Sequence, residues 1–331
     1  MEDLKTYNNL GELKEYFDVE YINTVCDFYS LLKQVQKENN TLYRGVCSPR
    51  YKMYSSSQRF YCDNKNAFDF EYTKFISQLY DVSPSIDNGY LLKLYSDLQK
   101  DNYIQYVNTD KGWKSERIFL PYNPIWAFYT LQHFTQCSPF LDFSEHFYIA
   151  LYFATQKMST LWCDNFSKEE IDNYIEIISI NDSLVSNTHN FLTMKEKYKS
   201  LTDDYFNDKN PIENIYHSPY YNYTDNDIKY VNYSGSCKII GSGWEYRFSF
   251  KNENCIAQSG RLFLTSGQYD KPFEILWNEN INSQKLKLHL IHKSLIDEIF
   301  KYLNIHLLGK VVVPIQKDYK NEIIELIKSI C

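Results

Sequence analysis

Residues 131–154 read LQHFTQCSPFLDFSEHFYIALYFA: a polar pair, a turn, the segment FLDFS and an apolar helix in direct succession. Phe147, Ala150, Leu151 and Ala154 recur at helical spacing, which predicts a helix with one face small enough for close packing. Tyr148, Ile149, Tyr152 and Phe153 make that helix apolar almost all round, so it is expected to be buried. Ser144 is placed to cap it through its hydroxyl, and Glu145 to put negative charge at the positive end of its dipole. Gln132, His133 and Asp142 then lie beside the densest part of the core. Buried polar groups must find partners, so these three either lock a loop or line a pocket.

Outward from this block the chain mixes helices and strands without strict alternation. Residues 1–40 read as helical, with stripes at Leu4, Leu10, Leu13, Tyr16 and Phe17 and again from Val25 to Val35. TLYRGV (41–46) is a run of β-formers that meets a glycine. Residues 47–66 read as loop, with Pro49 and the serines 55–57, and 66–80 as helix. Residues 81–122 read as a polar connector containing one helix, YLLKLYSDLQK. Asn123 and Pro124 open a further helix, NPIWAFYTLQH. NYIEIISIN (173–181) is a strand candidate. Residues 182–235 are rich in Asn, Asp and Tyr and weakly periodic, as an insertion would be. Three more strands are expected in CKIIGSG, WEYRFSFKN and CIAQSGRLFLT, and another in QKLKLHLI. SLIDEIFKYL follows as a helix capped by Ser294, then the strand KVVVPI and a terminal helix. The predicted class is α+β: a mixed, mostly antiparallel sheet with flanking helices and a helical N-terminal segment. The domain plan is 1–40, a main domain over 41–316, and a helix over 317–331.

The formal net charge is −7 over 331 residues, so the global field does not recruit nucleic acid. The eight cysteines are scattered with no CxxC pair, which argues against a structural zinc; no metal is expected. MEDLKTYNNL lacks the apolar core of a signal peptide, and no apolar run approaches the length of a membrane span. The expectation is a cytoplasmic protein with no membrane partner. No P-loop, HExxH, nucleophile elbow or dinucleotide GxGxxG occurs.

Four pieces occur in order: LYRGV (42–46), SSSQR (55–59), LQHFTQCSPFLDFSEHFYIALYFA (131–154) and AQSGRLFLT (257–265). Together they resemble the FRG domain family, whose members carry an aromatic-Arg-Gly motif, a Ser–Arg segment, a Gln-His to Leu-Asp to Ala-Leu-aromatic-Ala block and a Gln-x-Gly strand. The likeness runs as an order of pieces over residues 40–316. This chain departs from the pattern at Thr135, where the family has Gly, at Ser138-Pro139, where it has Thr-Arg, and at Phe143-Ser144, where it has Trp-Thr. The resemblance implies a fold neighbourhood and a bacterial or phage setting.

Arg44 before Gly45 also looks like the first strand of arginine-type ADP-ribosyltransferases, where such an arginine holds NAD. On that likeness Arg44, Gly45, Ser56, Arg59 and Gln132 would bind NAD, and His133, Asp142 and Gln258 would act at the ribose. A guanidinium fork suits phosphate or ribose oxygens, and glycine leaves the backbone open to close approach. Each residue also has a plainer reading. Arg44 can pair with a buried carboxylate such as Asp142, Ser56 and Arg59 can belong to a tied loop, and His133 can be a satisfied core histidine. Asp142 can cap the helix, and Gln258 can be a buried amide. Gln258 stands where those enzymes carry a late-strand Glu; Glu245, Glu253 or Glu274 could stand in for it. The expected activity is transfer or hydrolysis of ADP-ribose, in phage defence or a toxin system. The alternative is a non-catalytic recognition module that binds a protein or nucleic acid through surface tyrosines.

Overall fold

The computed structural model describes residues 6–38, 41–68, 71, 72, 74–76, 79, 104–109, 112–117, 132, 137–156, 158, 166–181, 228–232, 236–238, 245–247, 257–265, 269–280, 285–308, 310 and 312. The helices expected at 90–100 and 123–133, the strand KVVVPI and the terminal helix lie outside the described residues, apart from single positions. So does His133.

The elements follow in the order α1 (Leu10–Tyr16), β1 (Phe17–Ile22), α2 (Val25–Val35), β2 (Thr41–Val46), α3 (Ser56–Asn64), β3 (Ile104–Thr109), β4 (Gly112–Arg117), β5 (Phe140–Ser144), α4 (Phe147–Thr155), β6 (Tyr174–Asn181), β7 (Ile228–Asn232), β8 (Ser236–Lys238), β9 (Glu245–Arg247), β10 (Gly260–Thr265), α5 (Phe273–Asn280), β11 (Leu286–His292) and α6 (Ile296–Leu307). Strands β3 and β4 form a separate hairpin, within residues that read as connector. The other nine strands form one sheet in the order β1-β11-β6-β2-β5-β10-β7-β8-β9. β1 runs parallel to β11; every other pairing is antiparallel. The sheet is mixed and mostly antiparallel, and the class is α+β.

The N-terminal segment is helical on either side of β1, whose FDVEYI alternation seats it on the sheet edge. Asn9 caps α1 by accepting from the backbone N–H groups of Gly11 and Glu12. Thr24 and Asp27 close a reciprocal box on α2. The serine run expected in a loop instead begins α3: Ser55 accepts from the Gln58 N–H and Gln58 returns the bond to Ser55 N–H. S-x-x-Q is a start signal for a helix, and Ser55, Ser57 and Gln58 are all fully buried.

Side chains alternate across the sheet and sort into two core layers. Leu13 of α1 and Phe273 and Trp277 of α5 pack with Leu42, Phe143, Ile178, Phe263 and Leu288 on one face. On the other face α2, α4 and α6 pack Phe28, Leu31, Phe147, Ala150, Leu151, Ile299 and Leu303 against Tyr43, Ile175, Ile177 and Ile291. Burying each large apolar side chain stabilises the fold by about 1.5–3 kcal/mol before entropy is counted. Among the described residues no helix is long and apolar enough to cross a membrane.

Candidate functional site

Strand β2 pairs with β6 along its whole length, from Thr41↔Asn181 to Val46↔Glu176. β5 pairs just as fully with β10. Between them β2 and β5 meet at the single pair Tyr43↔Ser144, so the sheet forks there. The fork holds a cavity of about 430 Å³, lined by residues of β2, the 47–53 segment, α3, β5 and α4, and by Gln258. That volume is in the range of small-molecule sites.

Five of the eight residues singled out from the sequence line this one cavity: Arg44, Gly45, Arg59, Asp142 and Gln258. Arg44 Nη1 donates to the main-chain carbonyl of Asp142 at 2.7 Å. Its Nε is sealed from solvent without a partner. Arg44 thus bridges the fork at the carbonyl of Asp142, while the Asp142 carboxylate accepts from Gln132 Nε2 at 2.5 Å. Burial lowers the pKa of Arg44; Asp142 and Glu176 oppose that shift.

Gly45 has a structural use. A Cβ there would sit 1.8 Å from the carbonyl oxygen of Ala150. The missing side chain therefore lets β2 lie directly on the α4 backbone, which makes the cavity wall thin and rigid.

Arg59, on α3, faces the cavity from the far side. Among the described residues no hydrogen bond or ion pair engages its guanidinium. Burial, and then the like charge of Arg44, push its pKa down to about 10. Lys52 adds a third cation to the lining, against the single carboxylate of Asp142 among the described residues. The lining is net positive in a chain of net charge −7.

The other residues hold the frame. Ser56 Oγ accepts from Ser138 N–H at 2.9 Å and donates to its carbonyl at 3.2 Å, tying α3 to the approach of β5. Ser144 does not cap α4 by direct contact with its first turn. It ends β5, accepts from His146 N–H at 3.0 Å and donates to the Gln258 carbonyl at 2.6 Å. The helix begins two residues later than expected, at Phe147, with His146 as cap, because Ser144 is paired in the sheet. Ser294 likewise sits in a 3-10 turn ahead of α6. Gln258 lies in the turn before β10 and donates to the Val312 carbonyl at 3.2 Å. Ser259 beside it has φ 45°, and its carbonyl accepts from Glu145 N–H at 3.2 Å.

Behind the wall lie two carboxylates: Glu176, which the sequence reading does not single out, and Glu274, which it names only as a stand-in for a late-strand Glu. Glu176, in the run YIEIISI, has 1% exposure, and its Oε1 has no partner. Burial, then the charge of Glu274, raise its pKa well above the usual range; Arg44 pulls the other way. Glu274 is fully buried. It accepts from Tyr7 OH at 2.5 Å and from Met53 N–H at 3.2 Å, and burial pushes its pKa up to about 7. The available signal for Glu176 was a charge interrupting a run of isoleucines. Among the described residues no group of three or more His, Cys, Asp or Glu could hold a metal ion.

No curated protein and no solved structure matches the chain. A family model does: residues 39–161, which bring β2, α3, β5 and α4 around the cavity, match the FRG domain.

Proposed function

We propose that the cavity at the fork binds an anionic nucleotide of the NAD class and that the chain transfers or hydrolyses its ADP-ribose. The observation that carries this reading is Arg59. A desolvated guanidinium is costly without a sufficient counter-charge; burial and a second arginine outweigh the opposing influence of Tyr51 and Asp63 on this one, and the described lining of the cavity holds one carboxylate. A pyrophosphate supplies the missing charge, and arginine binds it in a bidentate fork. Arg44 and Arg59 would hold the pyrophosphate. Gln258 would meet a ribose hydroxyl, and Tyr51, 47% exposed at the lining, would offer a ring face to a base.

Asp142 supplies the chemistry. In this reaction the bond between the ribose C1′ and the nicotinamide nitrogen breaks, and the electron pair leaves with nicotinamide. A carboxylate beside C1′ stabilises the positive charge that develops there. Water or an acceptor group then bonds to C1′ and gives up a proton. A place in phage defence or a toxin system belongs to the same proposal.

Calorimetry with NAD and with ADP-ribose tests the binding step. Wild type is expected to bind, and Arg59→Ala to weaken binding by at least about tenfold, the loss of one charge-assisted contact. Its thermal unfolding should stay within about 0.5 kcal/mol of wild type, since no partner is lost. Asp142→Asn is expected to keep binding and lose nicotinamide release. No binding of either compound by wild type would overturn the reading.

A further inference from the structure

We propose that Glu274, one layer behind the cavity, is a proton-holding residue that sets the cavity's affinity for anions. The inference rests on the anion-site reading above and adds a regulation to it. Glu176 on β6 and Glu274 on α5 are both buried, Glu274 acts on Glu176, and the Arg44 guanidinium acts on Glu176 from the cavity side. Two carboxylates so close in a low-dielectric interior cannot both ionise without cost. Among the described residues the groups that act on the pair are as follows. Tyr7 OH donates to Glu274, Met53 N–H donates to it from the cavity wall, and Lys52 and Tyr54 face it from the same segment. Arg44 faces Glu176. The link to the cavity is direct, because Arg44, Lys52 and Met53 all line it.

The sign follows. With Glu274 protonated, the positive wall is uncompensated from behind and attracts an anion fully. When the proton leaves, a negative charge appears behind Lys52 and Met53 and opposes the bound anion. Anion affinity therefore falls as pH rises through about 7. At this depth one such charge is worth roughly tenfold in affinity. Burial, then the charge of Glu274, hold the pKa of Glu176 well above the usual range, and Arg44 pulls it down.

The experiment is a titration of ADP-ribose affinity between about pH 5.5 and 8.5, a range in which its diesterified pyrophosphate keeps its charge. Wild type is expected to lose about tenfold. Glu274→Gln should hold the low-pH affinity throughout. Tyr7→Phe, which removes a hydrogen bond to the ionised form, should move the transition to higher pH, and it serves if the Gln variant does not fold. The infrared carbonyl band that is present in wild type and missing from Glu274→Gln should vanish across the same range in wild type, and its loss should shift upward in Tyr7→Phe. Binding without a pH slope, or a slope unchanged in both variants, overturns this inference and leaves the site reading standing. Absence of binding at every pH overturns both.

Discussion

The two ends of the long β6–β11 neighbourhood treat buried charge in opposite ways. Toward the β1 edge, His289 is fully buried, yet both ring nitrogens are engaged, Nδ1 with Glu20 at 3.0 Å and Nε2 with Ser179 at 3.3 Å. Lys287 adds an ion pair to Glu20 at 3.1 Å. The His289 hydrogen bond, then Lys287, hold the pKa of Glu20 down at about 2. Toward the fork, Arg44 Nε, Gln132 Oε1, Asp142 Oδ1 and Glu176 Oε1 are all buried without partners. A fold that can satisfy a buried imidazole completely at one end has left four buried polar atoms open at the other. Stability alone does not favour that arrangement, and functional sites are where it accumulates.

The contrast can be broken most severely at Gly45. Gly45→Ala forces its methyl into the Ala150 carbonyl, so α4 must move off the sheet; a loss of about 3 kcal/mol or more is expected in urea unfolding. Next comes the satisfied end. His289→Ala leaves Ser179 without its side-chain partner and opens a hole under β1, with an expected cost of about 2 kcal/mol and no effect on ADP-ribose affinity. The smallest effect sharpens the comparison through pH. Glu20 is more than a third exposed, so Glu20→Gln should cost under about 1 kcal/mol at neutral pH. Its sign is opposite to that of Glu274. The lowered pKa of Glu20 stabilises the fold above the ordinary glutamate range, and that share is lost as pH falls through about 2. The raised pKa of Glu274 stabilises the fold below the ordinary range, and that share is lost as pH rises through about 7. Thermal unfolding of Glu20→Gln and Glu274→Gln across pH should flatten opposite ends of the wild-type curve.

Residues 131–154 could be read because their pattern is local. FYIALYFA became α4, since its apolar positions repeat at the period of a helix, while FLDFS, to which the pattern assigns no element, became β5. YIEIISI, read as a strand candidate, became β6. The start of α3 was equally local, and the Ser55–Gln58 box went unread beneath a serine-rich composition. β1 was obscured because a six-residue strand between two helices continues their apolar pattern.

The site divides along the same line. Arg44, Gly45, Asp142 and Gln258 could be named from their motifs, but their partners could not. Of the two readings of Arg44, a dinucleotide anchor or a partner for a carboxylate such as that of Asp142, the second is met at that residue's carbonyl instead. Gly45 was expected to make room for a ligand; it makes room for a helix.

By itself the sequence determined the helices and strands whose periodicity and caps lie within a few residues, the α+β class, and the order of motifs that marks the FRG domain. Only the tertiary structure decided that Glu176 and Glu274 stand behind Arg44 and Lys52, and that the sheet opens between β2 and β5. Those neighbours are set by the register of strands far apart in the chain, and register depends on how both faces of the sheet bury their side chains at once.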